Sequence, residues 1–270
     1  MFPQFTLFGK TIGMYPVMAL IGGLLGGFVF CYELRRRGKD DNDGIVFLLF
    51  TALGCFVGGA ILYSLTLYEN YALFLQVTDF SSFIKAFGTV FGGSVFYGGL
   101  IGGMLTGLLV IKVKKLDRAL YTDLGAILAP LFHSIARIGC FLGGCCYGVE
   151  CEFGFTAHGN PLVPAVNDVS RFPVQLLESA GTLLICILIY VLYRKGKMKG
   201  HLFFLYLGLY AVLRFSDEFL RGDEIRGFVF GNISTSQFIS MFMAAISLVG
   251  LTLYVVGKRK KQPNNEPLNS

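Results

Sequence analysis

The chain has 270 residues, of which 54 % are hydrophobic and only 15 % charged, with a mean hydropathy of +0.64. A soluble domain carries roughly 25 % charged residues, so this chain has too few to coat a water-facing surface, and it is too apolar for a disordered protein and too poor in cysteine for a disulfide framework. The net charge of +6 would suit nucleic acid only if the basic residues formed one surface, and they are dispersed in short clusters.

In chain order, seven apolar segments approach the ~20 residues that cross a bilayer. They are Ile12–Tyr32, Ile45–Leu67, Val95–Val113, Ala119–Phe141, Val174–Tyr193, His201–Phe219 and Ser236–Val256. The first is too long for the apolar core of a signal peptide and no A-x-A site follows it, so no cleavable leader is expected. The 35 glycines and 27 phenylalanines fit packed membrane helices, where small residues let backbones approach. The sequence therefore predicts an all-α membrane protein with seven transmembrane helices. Residues 1–261 would form a single polytopic membrane domain, and the polar stretch 262–270 a disordered tail.

The basic residues orient these segments. Arg35, Arg36, Arg37 and Lys39 follow the first, and Lys112, Lys114, Lys115 and Arg118 the third. Arg194, Lys195, Lys197 and Lys199 follow the fifth, and Lys258, Arg259, Lys260 and Lys261 the seventh. Sixteen of the 23 Lys and Arg thus fall on one side, against five on the other: Lys10, Lys85, Arg171, Arg221 and Arg226. By the positive-inside rule the N-terminus lies outside and the C-terminus in the cytoplasm. The longer connections, about Tyr68–Ser94, Gly148–Pro173 and Leu220–Thr235, fall on the outer side, where function is expected.

Arg137 and Arg214 fall inside apolar segments, where an ionisable group costs roughly 2.5–3.5 kcal/mol on insertion scales. His133 and Arg137 share a helix face at i, i+4, and Arg214, Glu218 and Arg221 form a stripe at i, i+4, i+7. Gln175 and Glu178 open the fifth segment. Two readings follow: ion pairs of Arg137 with Glu178 and Arg214 with Glu218 that hold the helices together, or a surplus of three arginines over two carboxylates that binds an anion. Arginine suits a phosphate, and a lipid headgroup is the candidate. The glycine-rich stretch Phe91–Gly103, with six glycines in 13 residues including Gly98 and Gly99, would either point a helix N-terminus at that anion or simply pack helices closely.

Five ordered stretches resemble the bacterial prolipoprotein diacylglyceryl transferases. Phe96-Tyr97-Gly98-Gly99-Leu100-Ile101-Gly102 is similar to the family's F-H-G-G-L-I-G, and Ala136-Arg137-Ile138-Gly139-Cys140-Phe141 to its G-R-x-G-N-F. Arg171-Phe172-Pro173-Val174-Gln175-Leu176-Leu177-Glu178 is similar to R-x-P-x-Q-x-x-E. Arg214, Glu218 and Arg221 match R-x3-E-x2-R, and Ser236-Gln237 opens the last segment as in the family. The resemblance implies transfer of the diacylglyceryl group of phosphatidylglycerol to the lipobox cysteine of pre-lipoprotein signal peptides, in the bacterial plasma membrane. No metal, nucleotide or nucleic acid is implied. Arg137 would bind the phospholipid phosphate, Arg214 would stabilise the leaving group and Glu218 would orient the arginines. Arg221, Gly98, Gly99, Cys140, Gln175 and Glu178 would line the substrate site.

Three positions depart from that pattern. Tyr97 stands where the family has histidine, Cys140 replaces asparagine and Cys145 replaces glutamate. A tyrosine is only about 0.1 % ionised at pH 7, whereas an imidazole is poised to take a thiol proton. His133, one turn before Arg137, is the histidine that supplies an alternative base. Cys140, Cys145, Cys146 and Cys151 put four of the seven cysteines within 12 residues. That cluster leaves open disulfides (Cys140–Cys145 or Cys146–Cys151) and a thiol-redox or metal-binding protein. The departures also leave open a paralogue that passes a glyceryl-lipid group to another acceptor. A transporter would need an inverted repeat or broken-helix pair, which the sequence does not show.

Overall fold

The computed structural model describes residues 2–93, 95–223, 228–230 and 233–260. The expected tail from 262 onward and Arg226 lie outside these. Among the described residues eight α-helices carry the fold: α1 (Met14–Arg36), α2 (Asp41–Thr66), α3 (Phe80–Phe91), α4 (Phe96–Val113), α5 (Arg118–Gly143), α6 (Val174–Arg194), α7 (Leu202–Asp217) and α8 (Thr235–Lys260). Three antiparallel two-stranded ribbons accompany them: β1 (Gln4–Leu7) with β2 (Lys10–Gly13), β3 (Glu150–Thr156) with β4 (Ser170–Arg171), and β5 (Phe228–Phe230) with β6 (Ile233–Ser234).

The expectation of seven crossings is not met. Among the described residues five helices are long and apolar enough to cross a membrane: α1, α2, α5, α6 and α8. α7 has 16 residues, a rise of roughly 24 Å against a hydrocarbon core of about 30 Å. The apolar segment of the sequence runs two residues further, to Phe219. The backbone instead tightens into a 3-10 turn at Glu218–Leu220, directly after the buried Asp217. The third segment also falls short, as the apolar helix Tyr97–Val113. The outside and cytoplasmic assignment of the termini placed the basic clusters on one side by alternating seven crossings, so it falls with that count. What stands is an all-α, multi-pass membrane protein.

The chain divides into two compact units, Met1–Phe30 with Thr122–Ser270, and Cys31–Tyr121. In the second unit, α2 and α4 meet backbone to backbone. A Cβ on Gly58 would strike the Gly98 carbonyl oxygen, one on Gly98 the Gly58 oxygen, and one on Gly102 the Gly54 oxygen. Glycine is required there because the helices close to a distance no side chain permits. The Thr106 hydroxyl donates to the Gly102 carbonyl at 2.8 Å, and Lys114 pairs with Asp43 at 3.1 Å. α3 begins with a capping box, in which the Ser82 amide donates to Asp79 Oδ1 at 3.2 Å and the Asp79 amide donates to the Ser82 hydroxyl at 3.1 Å. The Ser82 hydroxyl and then the Ser82 amide, hydrogen-bonding to its ionised form, hold the Asp79 carboxyl below the ordinary carboxylate range.

In the first unit, Val174, Ile185 and Ile189 of α6 and Leu202, Leu207 and Ala211 of α7 are buried with Ala126 and Ile127 of α5. Asp123 of α5 accepts from the Gly200 amide at 2.7 Å and the Leu202 amide at 3.2 Å, so a side chain from another helix caps α7. Ser247 of α8 donates to the Phe204 carbonyl at 2.7 Å. The segment between α5 and α6 is pinned by Asn160, whose side chain donates to the Gly143 carbonyl at 3.0 Å and whose amide donates to Asn167 Oδ1 at 2.8 Å. Exposed leucines and phenylalanines on α1, α2 and α8, such as Leu24, Phe28, Phe56, Phe242 and Leu253, give these helices the apolar outer faces that lipid wets.

Candidate active site

Glu178, on the second turn of α6, is the centre of a buried polar cluster. Its side chain is 2 % exposed. Arg137 of α5 reaches it with one guanidinium nitrogen, Nη2, at 2.8 Å from Oε2 and 3.0 Å from Oε1. His133, one turn earlier on α5, places Nε2 at 3.2 Å from Oε1, and the Tyr210 hydroxyl of α7 donates to the same oxygen at 3.2 Å. Three helices thus converge on one carboxylate, and the i, i+4 spacing of His133 and Arg137 is what lets both reach it. The rings of His133 and Tyr210 pack with centroids 5.0 Å apart.

Arg214 of α7 pairs with Glu218 one turn on, Nη1 to Oε2 at 2.9 Å, and donates through Nη2 to the Ser236 hydroxyl at the start of α8 at 2.7 Å. It lies close enough to act electrostatically on His133 and Glu178. Arg221 is gripped by Asp223, with Nε at 2.8 Å from Oδ1 and Nη2 on Oδ2. Burial alone would lower Arg221, but this carboxylate and its hydrogen bonds hold the guanidinium above its usual range. Gln175 donates to the Cys145 carbonyl at 2.9 Å, tying the start of α6 to the turn after α5.

Both ion pairs of the first reading, Arg137 with Glu178 and Arg214 with Glu218, are therefore present. The count of three arginines against two carboxylates is not the count the fold makes, since Asp217 and Asp223 are buried as well. Excess positive charge alone cannot argue for an anion. A more local feature can: Arg137 Nε is buried without a hydrogen-bond partner among the described residues, as is Asp217 Oδ2. A buried, charged donor left unmade costs about 1–3 kcal/mol or more, so such a group marks a place where a ligand belongs.

Beyond Arg137, the sulfur atoms of Cys140, Cys145 and Cys146 lie within 4.8 Å of one another. Cys140 ends the His133, Arg137, Cys140 face of α5, and Arg137 Nη1 donates to its sulfur at 3.9 Å. Left-handed backbone at Gly144 (φ +79°) and Cys146 (φ +56°) turns the chain back after α5 so that the two later thiols meet the first. The Cys145 thiol donates to the Cys140 carbonyl at 3.7 Å. Hydrogen bonds from Cys140 and Cys145 hold the Cys146 thiol below the ordinary range against its burial, with Arg137 and Arg221 acting the same way. All seven cysteines are unbridged, and Cys151, on β3, stands outside the three-thiol group.

The remaining expected residues are Tyr97, Gly98 and Gly99, in the first turn of α4 in the second unit. Tyr97 is half-buried. Gly98 faces α2 as described, and a Cβ on Gly99 would sit 3.2 Å from the Cys55 carbonyl oxygen, so the close approach these glycines permit is to a neighbouring helix. Two partners escaped the sequence reading, Tyr210 and Asp223. Tyr206, Tyr210, Arg214 and Asp217 recur at i, i+4, i+8 and i+11, a stripe that marks the polar face of α7. Asp223 had only its nearness to Arg221 to recommend it.

The sequence profile of the prolipoprotein diacylglyceryl transferases matches residues 3–253. A phosphatidylglycerol–prolipoprotein diacylglyceryl transferase from Clostridium tetani is 31 % identical over 260 residues, covering 96 % of this chain and 98 % of the relative. A second such transferase from Clostridium perfringens is 32 % identical over 259 residues, covering 94 % of each chain. The transferase of Geobacter sulfurreducens is 31 % identical over 257 residues, covering 92 % and 91 %.

Proposed function

Since this chain belongs to the prolipoprotein diacylglyceryl transferase family and is a multi-pass protein of the bacterial plasma membrane, we propose that it transfers the diacylglyceryl group of phosphatidylglycerol to the lipobox cysteine of pre-lipoproteins. The observation that carries this reading is the Arg137 guanidinium, which is anchored on Glu178 by one nitrogen while its buried Nε has no acceptor among the described residues. A phosphate oxygen is the acceptor that suits it. Glu178 then fixes the arginine rather than neutralising a spare charge.

In the reaction, the acceptor thiol loses its proton and its sulfur attacks the glyceryl carbon bonded to the phosphate oxygen. That carbon–oxygen bond breaks, and its electron pair leaves on glycerol phosphate. Negative charge grows on the phosphate, where Arg137 and Arg214 stabilise it. Glu218 and Ser236 hold Arg214 from either side. His133, oriented by Glu178, takes the proton in place of the histidine that the family carries where this chain has Tyr97.

The test is a lipobox peptide offered with phosphatidylglycerol to the purified protein in detergent, with mass spectrometry for the diacylglyceryl adduct. The adduct forms with wild type and Tyr97→Phe and is lost with Arg137→Ala and His133→Ala. If no adduct appears in a preparation that binds phosphatidylglycerol, the lipobox thiol is not the acceptor. An adduct unchanged by His133→Ala overturns its role as base.

A further inference from the structure

We propose that Cys140, Cys145 and Cys146 form a three-thiolate site for a soft divalent cation of the zinc class, with the fourth coordination position open to the acceptor thiol. This deepens the transfer reading above and rests on it for the identity of the fourth ligand.

Geometry comes first. Three sulfurs within 4.8 Å of one another need little movement to close on one ion, because Zn–S bonds of about 2.3 Å in a tetrahedron put sulfurs about 3.8 Å apart. Thiolates select zinc and similar soft ions over calcium or magnesium. One ligand stands on the end of α5 and two on the turn that follows it, and Gln175 anchors that turn through the Cys145 carbonyl. No fourth histidine, cysteine or carboxylate joins the group among the described residues. Three protein ligands with one position open is the pattern of catalytic rather than structural zinc.

Charge comes second. Three thiolates and a divalent cation sum to −1, and the counter-charge is already in place, since Arg137 donates to the Cys140 sulfur. Hydrogen bonds of this kind to ligating sulfur orient a metal site and tune it.

Chemistry comes third. The transfer is an S-alkylation, so the sulfur must be ionised when it attacks. A thiol entering the open position is deprotonated by the metal, and its proton passes through water to His133, two helical turns back along α5. The bound sulfur forms its bond to the glyceryl carbon as the carbon–oxygen bond breaks, and glycerol phosphate departs beside Arg137. The thioether product is neutral, a poorer ligand than a thiolate, and leaves the metal. A metal would thus take over part of the work that the family's histidine does, in a chain that has Tyr97 in its place.

The experiment uses the full chain, purified in detergent under reducing conditions from cells supplied with zinc. Elemental analysis is expected to find about one zinc per chain in wild type and in Cys31→Ser, and none above background in Cys145→Ser/Cys146→Ser. Exchange with Co²⁺ should give a sulfur-to-cobalt charge-transfer band that strengthens by about a third when a lipobox peptide is added, as a fourth thiolate joins three, and not when its cysteine is serine. Chelation should slow transfer at least about tenfold and restored zinc should recover it. Metal-free wild type, metal retained by the double variant, or a disulfide found among the three cysteines overturns the site. A band indifferent to the peptide overturns the open position. A chain that transfers the lipid with no metal keeps the transfer reading and overturns this one; a chain that binds cobalt through these cysteines and never forms the adduct keeps the site and overturns the transfer.

Discussion

The α2–α4 contact and the cluster on Glu178 show two opposite ways for helices to pack in an apolar protein. Between α2 and α4 the helices touch through their backbones at Gly54, Gly58, Gly98 and Gly102. Around Glu178 the contact is made by long side chains whose charges must be met one by one: Arg137, His133 and Tyr210 on a single carboxylate. The first arrangement gains from close van der Waals approach and fails when anything is added. The second fails when anything is removed, because a charge without its partner is left behind.

The largest expected effect follows from that asymmetry. Glu178→Ala leaves Arg137 and His133 without their acceptor, and breaking a buried pair in this way costs about 3–5 kcal/mol. Thermal unfolding in detergent should register the loss, and lipid transfer should vanish with it. Glu178→Gln keeps the volume and one acceptor oxygen, so it should recover much of the stability and little of the activity. A change of well under 1 kcal/mol for the alanine variant would mean that water already fills the cluster, and the contrast between the two regions would collapse.

Next comes overfilling on the other side. Gly58→Val puts a branched side chain against the Gly98 carbonyl, and overpacking of this kind costs about 1–3 kcal/mol. Gly23→Ala, where a Cβ meets nothing within 4 Å, serves as the control and should be silent in the same unfolding measurement.

Tyr210→Phe sharpens the comparison within the polar region. It removes one of three donors to Glu178 while Arg137 and His133 remain, so the carboxylate stays satisfied. The expected loss is about 1 kcal/mol or less, and a double-mutant cycle with His133→Ala would show whether the donors act independently.

These partners also show how far the sequence could be read. Arg137, Glu178, Arg214 and Glu218 stood out because charge is expensive in an apolar segment, and the fold joins them as the ion-pair reading has them and not as a surplus of arginine. Tyr210 did not stand out, because a tyrosine in a phenylalanine-rich helix passes for packing until the stripe that it shares with Arg214 and Asp217 is traced. Gly98 and Gly99 gave a signal with two meanings, and only three-dimensional structure shows that Gly98 opposes Gly58. The number of crossings was misread for a different reason. Hydropathy measures how far an apolar run extends, whereas α7 is ended by backbone geometry at Glu218–Leu220, which no apolar average contains.

The smallest expected effect lies at the start of α3, away from both contacts, and it separates local capping from helix packing. Asp79 is exposed, and its carboxylate accepts from the Ser82 amide while the Asp79 amide donates to the Ser82 hydroxyl. The Ser82 hydroxyl and amide hold the carboxyl below its ordinary range in the folded state, so its contribution is fully present above the unfolded pKa and is lost as pH falls through the lower, folded value. The protection factor of the Ser82 amide, its exchange relative to an unstructured amide at the same pH, should therefore fall only on acidification below the ordinary carboxylate range, and Asp79→Ala should lack that protection at every pH. Because Ala86 and Val90 still bury the inner face of α3, the helix itself should persist in both cases. If its far-UV signal disappears together with the cap, the helix depends on its first turn rather than on packing, and the contrast drawn from α2, α4 and Glu178 does not extend to this part of the chain.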